Sequence, residues 1–273
     1  MNKFLVIVIL IGLCVLATFF VLTSKRVDRS IATEVSLERL EQGNARFVSG
    51  KMKHPNLTQE YREQLVEEGQ EPSAVVVACS DSRVGVEFIF DAGIGELFVI
   101  RTAGNVISTV EAASIEYAVK QLKVPLCIVL GHTHCGAVAA AVTETDASGN
   151  LGKLVEMIDP AYEKAKKAYP DLGIEELMDK TVEMNVWNSV DTLYQISEPI
   201  ADSVDKGYLR VMGATYDLET GEVRWLEREP GMPASITSSS TSDDDEDVEE
   251  DTTSDQEEDA LDNDELTEDQ DES

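Results

Sequence analysis

The sequence predicts an α/β fold, a mainly parallel β-sheet flanked by helices, with a C-terminal hairpin strand. Three observations carry that expectation. The runs AVVVA (74–78), LFVI (97–100) and LCIVL (126–130) are apolar, rich in β-branched residues and too short for helices, as buried strands are. Between the last two, STVEAASIEYAVKQL opens with Ser108 and Glu111 at capping-box spacing and then continues as a helix. Strand, helix and strand at this spacing form a βαβ unit, which implies a parallel sheet with helices over its faces.

The remaining elements follow in chain order. SLERLEQGNARFVSG (36–50) reads as a short amphipathic helix with Leu37, Leu40, Phe47 and Val48 on or near one face and Gly50 as its stop. TQEYREQLVEEG reads as a second helix. After the three strands, LVEMIDPAYEKAKKAY is a helix expected to bend at Pro160, and IEELMDKTVEMNVWNSVDTLYQIS is a long helix. YLRVMGATYDLETGEVRWLE alternates and turns at Glu219-Thr220-Gly221, a late strand with a hairpin partner. No internal repeat is evident, so one α/β domain of about residues 30–230 is expected, within a folded segment 25–236.

Both ends differ from this core. Within residues 1–24, the stretch Phe4–Leu22 holds nineteen residues without a charge, long enough to span a hydrocarbon layer as a helix. It reads as a signal peptide or an uncleaved anchor, and its apolar run exceeds the usual h-region, which favours the anchor. The expected location is therefore membrane-anchored or exported. Lys3 competes with Lys25, Arg26 and Arg29 across the segment, so orientation stays open. Cys14 inside it reads as an ordinary apolar residue. Residues 237–273 carry 19 acidic and no basic side chains, which is −19 of a formal net charge of −31. Such a segment is expected to be disordered and solvating, with weak Ca²⁺ binding through its carboxylates as the sharper alternative. Nucleic-acid binding is disfavoured, because phosphate recognition needs clustered Lys and Arg that are absent here.

The chemistry is expected where two strands end. Ligands of an open parallel sheet bind at the carboxyl ends of its strands. Cys79, Asp81 and Arg83 follow the 74–78 strand in CSDSRV, and His132 and Cys135 follow the 126–130 strand in GHTHCGAV. One rim therefore receives two thiols, an imidazole and a carboxylate, a donor set for tetrahedral zinc. His132-x-x-Cys135 lets a tight turn contribute two ligands, and a helix starting near Cys135 favours a thiolate there. Gly131 and Gly136 are expected to allow close backbone approach beside the metal. Four cysteines, one of them within the apolar segment, do not make a secreted disulfide framework. Cys127, in mid-strand, reads as packing; His134 reads as a surface residue, with proton transfer as the alternative, and His54 as a loop residue.

CSDSRV and GHTHCGAV, with FVIRTAGN between them and SIEYAV beyond it, closely resemble the β-class carbonic anhydrases. The resemblance extends over roughly 35–228, including RLEQGNARFVSGK and GYLRVMGATYDLETGEVRWL. It implies a β-carbonic anhydrase-like fold and a zinc enzyme interconverting CO₂ and bicarbonate, assembled as a homodimer or a larger assembly of dimers. By position, Cys79, His132 and Cys135 would be the metal ligands, and Asp81 and Arg83 the catalytic dyad. Three protein ligands leave a position for water, whose pKa zinc lowers to about 7, and the resulting hydroxide would attack CO₂. Arg83 would draw Asp81 off the zinc and hold it as an acceptor for that hydroxide. In a closed state Asp81 would itself be the fourth ligand. Gly85-Val86 after CSDSRV departs modestly from the family pattern and removes no catalytic group. Two rivals share the ligand set: hydrolysis of carbonyl sulfide or carbon disulfide, and a non-catalytic zinc-stabilised binding module. Retention of both Asp81 and Arg83 speaks against the latter.

Overall fold

A computed structural model describes residues 30–143 and 147–228. The N-terminal apolar segment and the acidic segment 237–273 lie outside the described residues. Among the described residues, no helix is long and apolar enough to cross a membrane.

Five strands form one sheet in the order β2-β1-β3-β4-β5. They are β1 (Ala74–Cys79), β2 (Leu97–Thr102), β3 (Leu126–His132), β4 (Arg210–Tyr216) and β5 (Val223–Leu226). The first four run parallel, and β5 returns antiparallel along β4. The helix between β2 and β3, α4 (Thr109–Lys120), starts with the expected capping box: the Glu111 carboxylate accepts from the Ser108 N–H at 2.9 Å. That crossover carries the chain past β1, which lies between the two strands it joins.

Strand periodicity divides the core. Val75, Val77, Cys127 and Val129 face one side, under α4, α8 (Ile174–Ile196) and α9 (Glu198–Asp205). Ala74, Val76, Ala78, Leu126, Ile128 and Leu130 face the other, packed with Leu40 of α1 (30–48) and with Val86 and Ile89 of α3 (Val86–Ile89). Every residue of β1 and β3 is buried, which is why both read as unbroken apolar runs.

Four expectations change. The first helix already covers residue 30 and ends at 48, with Gly50 at φ 67° just beyond it. Strand β2 is an edge strand and only half-buried, because among the described residues no strand pairs with its outer side. Pro160 separates two helices, α6 (Gly149–Glu156) and α7 (Asp159–Ala168), and sits in the first turn of the second, where its missing N–H costs nothing. Helix α9 was not expected; the Ser197 hydroxyl caps it by accepting from the Ile200 N–H at 3.3 Å, and Pro199 follows in its first turn. The other helices, α2 (Gln59–Glu68) and α5 (Gly136–Val142), lie where the sequence places them.

Helix α8 sits close on the sheet because two glycines leave room for it. A Cβ at Gly131 of β3 would lie 2.8 Å from Val186 Cγ2, and one at Gly213 of β4 would lie 2.7 Å from Val186 Cγ1. The close approach at Gly131 is thus to α8, while a side chain at Gly136 would meet open space.

Candidate metal centre

Neighbouring parallel strands β1 and β3, paired through Ala78 and Leu130, end at the same rim of the sheet. Cys79 is the last residue of β1 and His132 the last of β3; Cys135 is the N-cap of α5. The ligand-capable atoms of these three buried residues all lie within 4.8 Å of one another, with the two sulfurs 4.0 Å apart. Proximity here is a consequence of parallel pairing and one tight turn.

Hydrogen bonds orient these side chains as a metal site would need. Nδ1 of His132 is 2.9 Å from the Thr133 carbonyl oxygen, which can only accept, so Nδ1 carries the proton and Nε2 offers its lone pair. That Nε2 is buried without a hydrogen-bond partner. A buried acceptor left unpaired is costly, and a cation held with the two sulfurs would satisfy it. The Cys79 sulfur accepts from the backbone N–H of Gly104 at 3.2 Å and of Asp81 at 3.4 Å. The contact with Cys135, together with these two amides, outweighs burial and pulls the Cys79 thiol below its ordinary value. The same contact, with burial, pushes the Cys135 thiol up. The residues present fit a thiophilic metal ion.

Asp81 and Arg83 stand beside this set. Arg83 donates from Nε to Asp81 Oδ1 at 3.0 Å and from Nη2 to Oδ2 at 2.7 Å, and its backbone N–H reaches Oδ1 at 2.9 Å. This grip holds the Asp81 carboxyl well below the usual carboxylate range. Asp81 Oδ2 lies 4.0 Å from His132 Nε2, near the donors but in the hand of the guanidinium. Arg83 Nη2 also donates to the His134 carbonyl at 3.2 Å, tying the β1 loop to the β3 loop.

One contributor escaped the sequence reading. Arg101, near the end of β2, donates from Nε to the Cys79 carbonyl at 2.9 Å and from Nη2 to the Asp81 carbonyl at 2.6 Å. A guanidinium near the end of an apolar run, at the strand end where ligands gather, was the available signal. His134 is exposed and outside the donor set; Cys127 is fully buried in the core, where desolvation pushes its thiol up to about 12. His54 lies in a loop whose backbone N–H reaches Asp91.

Fold and donors together define a metalloprotein of the open α/β class, with its centre at the carboxyl rim of a parallel sheet. The sequence matches the carbonic anhydrase family model over residues 74–223. It is 42% identical over 188 residues to a carbonic anhydrase of Mycolicibacterium smegmatis, covering 67% of this chain and 88% of that protein. With carbonic anhydrase 2 of Mycobacterium tuberculosis it shares 40% over 186 residues, covering 67% and 87%. Among solved structures, the β-carbonic anhydrase CcaA superimposes with a TM-score of 0.57 at 30% identity, over 70% of this chain and 95% of that one. CafA of Aspergillus fumigatus gives 0.57 at 31%, over 63% and 85%. The chain belongs to the β-carbonic anhydrase family of enzymes.

Proposed function

We propose that this protein is a zinc-dependent carbonic anhydrase that interconverts CO₂ and bicarbonate, with Cys79, His132 and Cys135 as ligands and Asp81 and Arg83 as catalytic residues. The observation that carries the reading is the pairing of an unpartnered, buried His132 Nε2 between two thiols with a neighbouring carboxylate held bidentately by Arg83. Zinc in this S₂N set would supply a Lewis acid able to bring the pKa of water to about 7.

The chain's own residues account for the rest. Asp81, kept ionised by Arg83, is an acceptor that fixes the orientation of the attacking water and turns a lone pair towards CO₂. Arg83 keeps that carboxylate from taking the water's place, which is the state with Asp81 as fourth ligand. Val106 and Val138 belong to the same buried apolar cluster as Cys79 and Cys135, surroundings that favour an uncharged substrate.

Association of two copies belongs to the same proposal. It is supported by the outer edge of β2, unpaired among the described residues, and by Tyr117, 49% exposed while its ring lies against Phe98 of that strand. Membrane anchoring or export, and weak Ca²⁺ binding by residues 237–273, are proposed on sequence grounds. Protease treatment of intact cells that spares the domain would count against exposure at the cell surface. Unchanged calcium uptake after removal of 237–273 would count against the second.

Stopped-flow CO₂ hydration by the zinc-loaded protein tests the activity. A rate that depends on Cys79 and rises from neutral to alkaline pH is expected; bound zinc with no CO₂ hydration would reject the reading.

A further inference from the structure

Helix α8 makes most of its contact with the sheet through Val182, Val186, Val190 and Leu193, yet the same face carries buried Asn185 and Ser189 one turn apart. Both reach the same short loop. Asn185 Nδ2 donates to the Gly104 carbonyl at 2.7 Å, and Ser189 Oγ donates to the Asn105 carbonyl at 3.0 Å. Burying an amide and a hydroxyl in a valine-rich face is unfavourable unless they are paired; each spends its donor on this loop, and Asn185 Oδ1 is left without a partner.

The loop is the one that presents an amide to Cys79. Gly104 and Asn105 are both left-handed, at φ 65° and 47°, and the second is a conformation that few residues with a Cβ adopt. The N–H of Gly104 points at the Cys79 sulfur, and its carbonyl, on the next peptide, is held by Asn185. No room exists for a side chain at this glycine: a Cβ would lie 2.8 Å from Ile158 Cδ1 and 3.1 Å from Ala137 Cβ. Fixing the carbonyls of two successive left-handed residues fixes the peptide planes around them. The aim of the Gly104 N–H follows from that.

We propose that Asn185, assisted by Ser189, is a positioning residue for the metal centre: it holds the Gly104–Asn105 loop so that the Gly104 amide donates to the Cys79 ligand. An amide donated to a ligating sulfur withdraws charge from it and fixes its direction, so this contact sets how strongly Cys79 binds a metal. The inference rests on the reading of Cys79 as a ligand.

The test compares the full-length protein with Asn185→Leu and Ser189→Ala by metal binding, not by turnover. Each is stripped, then titrated with zinc against a chromophoric chelator and, separately, loaded with cobalt(II) to record the sulfur-to-cobalt charge-transfer band. Asn185→Leu keeps the volume and removes the donor, so about 10-fold weaker zinc binding is expected, as for other outer partners of metal ligands. Its band should move to lower energy, because a sulfur without its amide donor gives up charge more readily. Ser189→Ala should move both readouts the same way by less. A folded Asn185→Leu with wild-type zinc affinity and an unmoved band overturns the proposal, even if its melting temperature falls. Should Asn185→Leu fail to fold, Ser189→Ala decides by the same two readouts. A wild-type protein that shows no sulfur-to-cobalt band overturns the inference together with its premise, whereas one that binds cobalt but hydrates no CO₂ is judged on the same comparison.

Discussion

Arg83 holds Asp81 by two parallel bonds, Nε to Oδ1 at 3.0 Å and Nη2 to Oδ2 at 2.7 Å, and so keeps a carboxylate 4.0 Å from the unpartnered nitrogen of His132. The fork geometry matters more than the charge. Arg83→Lys retains a cation but offers no paired donors, so the carboxylate is freed to swing towards the metal donors. Hydration should fall about 10²-fold with zinc content unchanged, as for loss of one preorganised electrostatic contact in other enzymes. A wild-type rate in the zinc-loaded variant would show that the dyad is structural.

Removing a proposed ligand should separate Cys135 from its mid-strand relative Cys127. Cys135→Ser is expected to lower zinc affinity by well over 10-fold and to abolish hydration, since it deletes a donor itself and not merely an outer partner. Cys127→Ser should leave zinc stoichiometry at the wild-type value and destabilise the fold by about 1–3 kcal/mol, the cost of a hydroxyl in a fully buried apolar site. Metal analysis and chemical denaturation of both variants check the contrast.

Asp91 gives a pH signature away from the metal centre. Its side chain is fully buried; burial opposes its ionisation, but Arg46 at 2.5 Å and the N–H groups of Lys53 and His54 outweigh that and hold its carboxyl below its usual value. A carboxyl lowered on folding stabilises the native state above its unfolded pKa, about 3.9, and loses that contribution as pH falls through the folded value. Asp91→Asn should therefore cost roughly 3 kcal/mol near pH 7, where Arg46 loses its partner, and progressively less below about pH 4. Urea denaturation at a series of pH values reads the difference, and a pH-independent gap would remove the ion pair as its cause.

At Gly131 the prediction is steric. Its hypothetical Cβ would lie 2.8 Å from Val186 Cγ2 and 3.0 Å from Val182 Cγ1, so Gly131→Val must lift α8 from the sheet beside His132. A loss of about 1–3 kcal/mol is expected from overpacking. Thermal unfolding of the metal-free variant measures it, and unchanged stability would mean that α8 shifts at no cost.

Much of this was legible in the residues. The strands at 74–78 and 126–130, which the structure extends to Cys79 and His132, stood out because burial on both faces demands unbroken apolar runs, and α4 because its capping box is local chemistry. The edge position of β2 was not legible, since strand order depends on partners remote in the chain. Pro160 was visible as an interruption, but whether it bends a helix or begins a new one is decided by packing around it. Arg101 and Asn185 were present as letters without roles: their partners, the carbonyls of Cys79 and Gly104, are 22 and 81 residues away.

By itself the sequence determined which runs are core strands and marked which side chains could hold a metal, because ligand type, turn spacing and hydrophobic period are properties of neighbouring residues. The tertiary structure alone decided that Nε2 of His132 is buried without a partner, that Arg83 holds Asp81 away from it, and that α8 steadies the amide aimed at Cys79. Those are relations between segments joined only by the pairing of β1 with β3 and by helices laid across them, and no local pattern encodes a distance between such segments.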